Sequence, residues 1–218
     1  MTPTPRGRFI TLEGLEGSGK STQIGLLRDT LQAQGRTVVT TREPGGTPAA
    51  ERLREIVLQA GAERIAPMSE LLILFAARAI HLDSLVRPAL ARGEWVICDR
   101  FTDASYAYQG AGSGVPAAAI AALQALVHGD LQPDLTILLD VPVAVGLARA
   151  RARRGTASAD RFESEQADFF ERVHGEFLAI ARREPGRVRI VNAERPVGEV
   201  ASEIRRLVAD LPARGGEA

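Results

Sequence analysis

The segment Gly14-Leu-Glu-Gly-Ser-Gly-Lys20-Ser21 fits the pattern G-x-x-x-x-G-K-[ST], and its flanks are the ones that pattern requires. Arg8 to Leu12 is a short apolar strand candidate in front of it, and apolar residues at helical spacing run from Ile24 to Gln34 behind it. Glycines in such a loop let backbone N–H groups turn inward, forming an anion nest at a helix amino terminus. Lys20 can then reach the β- and γ-phosphates of a nucleotide, and Ser21 can ligate Mg²⁺. Lys20 is the only lysine among 27 basic residues; the others are all arginine. The one position that keeps lysine is therefore one that uses a compact ammonium on a flexible stem. The loop predicts that Gly14, Leu15, Glu16, Gly17, Ser18, Gly19, Lys20, Ser21 and Thr22 bind a nucleoside triphosphate.

A loop of this kind needs a parallel α/β framework, and the rest of the chain supplies the pattern. Further β-branched runs occur at Thr37–Thr41, Trp95–Cys98, Leu135–Leu139 and Val188–Val191. Between and after them lie helical patterns at 49–59, 69–91, 116–127, 143–153, 165–182 and 197–211. Strands alternating with helices predict a parallel sheet with helices on both faces. Runs that are apolar at consecutive positions, such as Thr136-Ile-Leu-Leu139, suit strands buried on both sides. At 218 residues with 45% hydrophobic side chains, the chain is read as one domain, residues 1–218, with a frayed tail at 212–218.

Composition removes several function classes. Twenty-seven acidic residues balance the 27 basic ones, which argues against a nucleic-acid coat or a polybasic membrane binder. A single cysteine, Cys98, excludes an internal disulfide and a cysteine-based zinc cluster. No apolar stretch follows the amino terminus that would serve as a signal peptide or membrane span, so a soluble, cytoplasmic protein is expected. His81, His128 and His174 lie far apart in sequence and are read as structural or surface residues rather than a metal site.

In an open α/β sheet, ligands bind beyond the carboxyl ends of the strands. Arg42-Glu43-Pro44-Gly45-Gly46-Thr47 follows the second predicted strand, Asp99-Arg100 the third, Asp140 the fourth and Asn192 the fifth. Asp99, closing an apolar strand, suits a carboxylate that holds Mg²⁺ directly or through water. Arg100 and Arg42 could clamp a second phosphate by bidentate hydrogen bonds. Two phosphate-directed centres facing one another imply phosphoryl transfer from a triphosphate to a phosphorylated acceptor. Arg149, Arg151, Arg153 and Arg154, followed by the small polar run Gly155-Thr-Ala-Ser-Ala159, read as a closing lid at about 149–162 that excludes water.

Together these segments resemble the thymidylate kinases of the bacterial kind. The carriers are Phe9 to Thr22, Thr41-Arg-Glu-Pro-Gly-Gly-Thr47, Trp95-Val-Ile-Cys-Asp-Arg-Phe101, Ala107-Tyr-Gln-Gly110, Pro133 to Asp140 and Asp160-Arg-Phe-Glu163. The resemblance implies a P-loop nucleoside-monophosphate-kinase fold with a five-stranded parallel sheet and an arginine-bearing lid. It also implies transfer of the γ-phosphoryl of ATP to dTMP with Mg²⁺, and a homodimer joined through residues 69–91. Carried over position by position, Lys20 and Ser21 hold the donor phosphates and the metal, and Glu16 lies near the acceptor's 3′-hydroxyl. Arg42 and Arg100 hold the dTMP phosphate, with Asp99 on the metal side. Arg78 meets thymine O4, Ser105 faces the base edge, Tyr108 crowds the sugar C2′ and Gln109 joins the acceptor site. The P-loop carries no basic residue at positions 15–18, and family members built this way take a catalytic arginine from the lid, so Arg149 and Arg153 are the candidates, with Arg151 beside them. Where the family stacks a phenylalanine on the base, this chain has Leu74 with Phe75 next to it. Either Phe75 stacks or Leu74 forms an apolar shelf.

The rivals differ in what they require. A kinase for another nucleoside monophosphate keeps every phosphate-handling residue and changes only the pocket around Leu74, Phe75, Arg78 and Ser105. A GTP-dependent switch protein normally reads guanine through Asn-Lys-x-Asp. With Lys20 the sole lysine, that segment does not exist here.

Overall fold

The five β-branched runs form one parallel sheet in the order β2-β3-β1-β4-β5. The strands are β1 (Phe9–Glu13), β2 (Val38–Arg42), β3 (Trp95–Asp99), β4 (Leu135–Asp140) and β5 (Val188–Asn192). The structure, a computed structural model, describes residues 7–58, 65–154 and 162–212. Each strand lies where the sequence predicts it, to within a residue or two. The chain runs from β1 out to β2, returns to β3 between them, then crosses to β4 on the far side of β1. That reversal opens the crevice at the carboxyl ends of β1 and β3 where such sheets bind ligands.

The helices are α1 (Lys20–Ala33), α2 (Pro48–Leu58), α3 (Pro67–His81), α4 (Arg87–Ala91), α5 (Thr102–Ser105), α6 (Ala117–His128), α7 (Val143–Arg154), α8 (Phe162–Arg183) and α9 (Val197–Ala209). The α3 helix continues through a π-helical turn, Leu82–Val86, into α4. Central strand β1 is wholly buried, and its alternation feeds two layers. Ile10 and Leu12 pack with Ile97, Ile137 and Leu139 against Leu27 and Leu31 of α1 and Val200, Ile204 and Val208 of α9. Phe9 faces the other side, with Val96, Cys98, Leu82, Val86 and Leu90. Helix α8 and strand β4 build a third cluster from Val173, Phe177, Ile180 and Leu138.

One element escaped the sequence reading. Helix α5 runs on as a π-helical turn, Tyr106–Gly112, where the glycines of Gln-Gly-Ala-Gly weaken any helical signal. Packing overrides propensity there. A Cβ at Gly112 would sit 2.5 Å from the Phe169 ring, so only glycine lets α8 approach this closely. A buried polar network anchors the same segment from beneath. Arg187 donates to both carboxylate oxygens of Asp103, at 2.7 and 2.8 Å, and to Thr136 Oγ1 at 2.7 Å. Thr136 Oγ1 in turn lies 2.7 Å from Thr11 Oγ1 across the β1–β4 pair. Residues 155–161, the centre of the expected lid, and the tail 213–218 lie outside the described residues, as does the side chain of Arg153.

Candidate active site

The loop after β1 is held by its glycines. Gly17 adopts φ 79°, and a Cβ there would lie 2.1 Å from the Gly146 carbonyl, so the loop can abut α7 only without a side chain. Gly19, at φ 94°, starts α1, whose amino terminus faces the crevice. Lys20 folds back over the loop and donates from Nζ to the carbonyls of Gly14 and Leu15, each at 3.0 Å. Burial, with the nearby Arg100 charge second, lowers its pKa from 10.5 to about 7.

Beyond the loop opens a cavity of about 600 Å³. Glu16, Gly17, Gly19, Lys20 and Ser21 line its donor side; Arg78, Asp99, Arg100, Ser105, Tyr108 and Gln109 line the rest. These eleven sequence-predicted residues come from the loop after β1, α1, α3, the end of β3 with the residue after it, and the 102–112 segment, so only the folded sheet brings them together. Gly14, Leu15, Ser18 and Thr22 belong to the loop and helix behind this lining.

Arg100 is the single non-glycine residue at positive φ among the described residues, φ 70°. A left-handed arginine costs about 1 kcal/mol or more, a strain found where neighbours over-determine a functional geometry. Two bonds pin it: Arg100 N–H donates to Leu12 O at 2.9 Å, and Phe101 N–H donates to Glu13 Oε1 at 2.6 Å. Its guanidinium lies 4.8 Å from the Tyr108 ring centre, and Nη1 is buried with no hydrogen-bond partner among the described residues. Asp99 Oδ1 is likewise buried and unpartnered. Asp99 and Ser21 line one cavity beside the loop, a hard-oxygen donor set that fits Mg²⁺ completed by phosphate oxygens and water.

Opposite, α3 presents Glu70, Leu74 and Arg78 at i, i+4 and i+8 to the cavity. Arg78 is buried. Its Nε donates to Glu43 Oε2 at 2.6 Å and its Nη2 to Ser105 Oγ at 3.0 Å, while Nη1 has no partner among the described residues. His81, one turn on, meets the other Glu43 oxygen through Nδ1 at 2.9 Å and Thr41 Oγ1 through Nε2 at 2.7 Å. Burial alone would raise the Glu43 pKa. Arg78 and His81 outweigh it, and the carboxylate stays below its ordinary range.

Three expected residues stand elsewhere. Phe75 does not line the cavity; helical phase turns it into the core with Leu71, Val115 and Ile120, and Leu74 takes the place at the wall. Phe75 acts from behind, with the Arg78 guanidinium 4.5 Å from its ring centre. Arg42, its side chain 54% exposed, is drawn to Glu51 on α2, at 2.9 and 3.0 Å, and is not part of the lining. Arg54, one helical turn past Glu51, lines the cavity instead, with Nη1 donating to Pro44 O at 2.9 Å. Arg149 donates to Ala193 O at 3.0 Å in the loop after β5, outside this cavity. Missed by the sequence reading were Arg54, Glu43, Glu13, Glu70 and the Asp103–Arg187 pair. Arg54 had a signal in the spacing Glu51-x-x-Arg54, which puts both on one helix face.

A phosphate loop that shares one cavity with arginines on the facing wall, at the switch point of a five-stranded parallel sheet, defines a P-loop nucleoside-monophosphate kinase. Comparison with known proteins narrows the class. The family model for thymidylate kinase matches residues 12–204. A thymidylate kinase from Alcanivorax borkumensis is 54% identical over 207 residues, covering 95% of this chain and 98% of the relative. One from Alkalilimnicola ehrlichii is 55% identical over 209 residues, covering 96% and 95%. The crystal structure of a thymidylate kinase from Ehrlichia chaffeensis superposes with a TM-score of 0.75 at 33% identity, covering 94% of this chain and 99% of the other. The chain belongs to the thymidylate kinase family.

Proposed function

We propose that this protein transfers the γ-phosphoryl group of ATP to dTMP, giving ADP and dTDP. The observation that carries the reading is the shared cavity, in which the P-loop and a buried arginine-lined acceptor wall face each other. The loop amides and Lys20 bind the β- and γ-phosphates, and Arg100 and Arg54 bind the acceptor phosphate. Mg²⁺, held through Ser21 and Asp99, neutralises phosphate charge when bound. An oxygen of the dTMP phosphate attacks the γ-phosphorus as the bond to the β-phosphate oxygen breaks. Positioning and charge stabilisation supply most of the rate.

Arg78 donates to the base carbonyl O4 through Nη1, backed by Glu43 and the Phe75 ring. Leu74 is the apolar shelf under the base, and Tyr108 closes on the sugar C2′ side. Glu16 lies at the sugar's 3′-hydroxyl. Of the lid arginines, Arg153 is proposed to stabilise the transferring phosphoryl. Arg149, the other lid candidate, donates to the carbonyl of Ala193 outside this cavity. The protein acts as a homodimer in the cytoplasm, the lid closes over 149–162, and residues 1–218 work as one domain. The dimer reading is supported by apolar residues turned to solvent on two helices that pack together, Met68 and Leu72 of α3 and Leu126 of α6, the last 81% exposed. Among the described residues no helix is long and apolar enough to cross a membrane.

The test is acceptor-dependent ADP release with ATP and Mg²⁺ against dTMP, dUMP, UMP, dCMP, dGMP and no acceptor. Turnover with dTMP well above the others is expected. Strong turnover with another nucleotide moves the error to the base wall, and no acceptor-dependent turnover overturns the reading.

A further inference from the structure

The base wall contains a pair whose chemistry has a direction. Glu70, in the first turn of α3, and Gln109, in the π-helical turn after α5, both line the cavity, and Gln109 Nε2 donates to Glu70 Oε1 at 2.8 Å. An ionised carboxylate only accepts hydrogen bonds, whereas a side-chain amide has one donating and one accepting pole. Glu70 therefore captures the NH₂ pole, and the Gln109 carbonyl oxygen must point the other way. No described group donates to that oxygen. Gln109 is buried, so the amide cannot turn over at no cost.

Across the same wall, Arg78 offers the complementary group. Its Nη1 is a buried donor with no partner among the described residues, fixed by the bonds from Nε to Glu43 and from Nη2 to Ser105. A base edge that satisfies both groups carries a carbonyl oxygen next to a ring N–H. Thymine and uracil present that edge as O4 and N3–H. Cytosine presents the reverse, an amino group beside an unprotonated ring nitrogen, and so meets donor with donor and acceptor with acceptor.

We propose that Glu70 is a positioning residue for specificity: it fixes the Gln109 amide with its carbonyl oxygen toward the base, so that the wall accepts an imide edge and rejects a cytosine edge. The proposal rests on the reading of the cavity as a pyrimidine-nucleotide acceptor site. Glu70 touches no reacting atom, and its effect passes entirely through Gln109.

The experiment compares kcat and KM for dTMP and dCMP in wild type, Glu70→Lys, Glu70→Gln and the double variant Glu70→Gln/Gln109→Glu. Lysine only donates, so Glu70→Lys turns the Gln109 amide over. The expected result is a dTMP KM raised at least about tenfold, kcat at saturation within about threefold, and a dTMP-to-dCMP ratio of kcat/KM lowered at least about tenfold. Glu70→Gln permits both amide orientations and gives a smaller loss of the same ratio, which serves if the lysine variant does not fold. The double variant restores an acceptor-only group at position 109, held by a donor at position 70, and recovers the ratio. A purely structural role for Glu70 lowers activity on both nucleotides in proportion and is not rescued by the double variant; that outcome overturns the proposal while leaving the acceptor assignment standing. A wild-type enzyme that uses dCMP as readily as dTMP overturns both.

Discussion

Glu13 Oε1 accepts the Phe101 N–H at 2.6 Å, joining the last residue of β1 to the residue just after the left-handed Arg100. The bond fixes the direction of the peptide that leaves Arg100, and so the direction in which its guanidinium enters the cavity. Burial, and secondarily the Asp103 charge, raises the Glu13 pKa from 4.5 to about 8. Removing the acceptor in Glu13→Ala is expected to raise the dTMP KM about tenfold, the effect of roughly 1.4 kcal/mol in acceptor binding. The ATP KM moves less, and Glu13→Gln, which keeps an acceptor oxygen, retains most of the dTMP affinity. Steady-state kinetics with each substrate varied in turn checks this; equal rises in both KM values would count against it.

The same pKa gives a stability prediction. Glu13 binds its proton more tightly in the folded state, so its contribution is fully present below about pH 4.5 and is lost as pH rises through about 8. Glu13→Gln cannot ionise, and its Tm should fall less than that of wild type between pH 5 and pH 8. His128 works in the opposite sense. Buried between the Phe75 and Phe101 rings, with desolvation the main cause and Arg78 second, it has a pKa lowered from 6.5 to about 4. The unfolded chain takes up that proton first, so stability falls as pH drops from 6.5 toward 4. In His128→Gln that limb should be shallower in urea melts at pH 4.5 and 6.5.

Lys20 predicts proton uptake on nucleotide binding. In the free protein it is half-ionised near pH 7, whereas a bound triphosphate favours the charged ammonium. Calorimetric titration of ATP at pH 8, in buffers of different ionisation enthalpy, should show uptake approaching about one proton, and little at pH 6. Lys20→Met should abolish the difference between the two pH values. Equal uptake in wild type and variant would assign the proton elsewhere.

The parts legible in the sequence were those fixed by local pattern. The loop from Gly14 to Ser21 announced itself by spacing and flanks, and Asp99 and Arg100 by closing an apolar strand. The five strands were readable because each is a short β-branched run bounded by turns. What sequence did not show was side-chain direction. Arg42 and Arg54 both lie near the second strand end, but only the fold turns one toward Glu51 and the other into the cavity. Leu74 and Phe75 are neighbours in sequence and 100° apart on a helix, so one lines the wall and the other joins the core. Tyr106–Gly112 was hidden for a different reason: its helix depends on α8 packing onto Gly112, a long-range contact that overrides a weak local propensity.

The exposed apolar faces of α3 and α6 predict the assembly state. If a second copy covers them, Leu126→Arg together with Leu72→Glu puts charges into an apolar contact and converts the dimer to a monomer. Sedimentation velocity at micromolar protein should show a single species of about twice the 23.3 kDa chain mass for wild type and of the chain mass for the variant. A monomeric wild type would leave these leucines as surface residues without a partner.

The two arginines near the second strand end give the sharpest contrast between expectation and structure. Arg54 lines the cavity and is held by the Pro44 carbonyl. Burial, followed by the Arg42 charge, lowers its pKa, and its electrostatic neighbours include Asp99 and Arg100. It is therefore a partly desolvated cation with a neighbouring cation and carboxylate, a setting in which an incoming phosphate relieves repulsion as well as forming hydrogen bonds. Arg42 is largely exposed, and its charge is already paired with Glu51. Arg54→Ala should raise the dTMP KM by about 10- to 100-fold, as expected when a charged hydrogen bond of about 1.5–3 kcal/mol is lost. Arg42→Ala should change it by less than about threefold, since exposed pairs contribute about 0–1 kcal/mol. The reverse order would mean that the strand-end arginine swings from Glu51 onto the acceptor phosphate when substrate binds, which Glu51→Gln, with Arg42 in place, would reveal as a lowered KM.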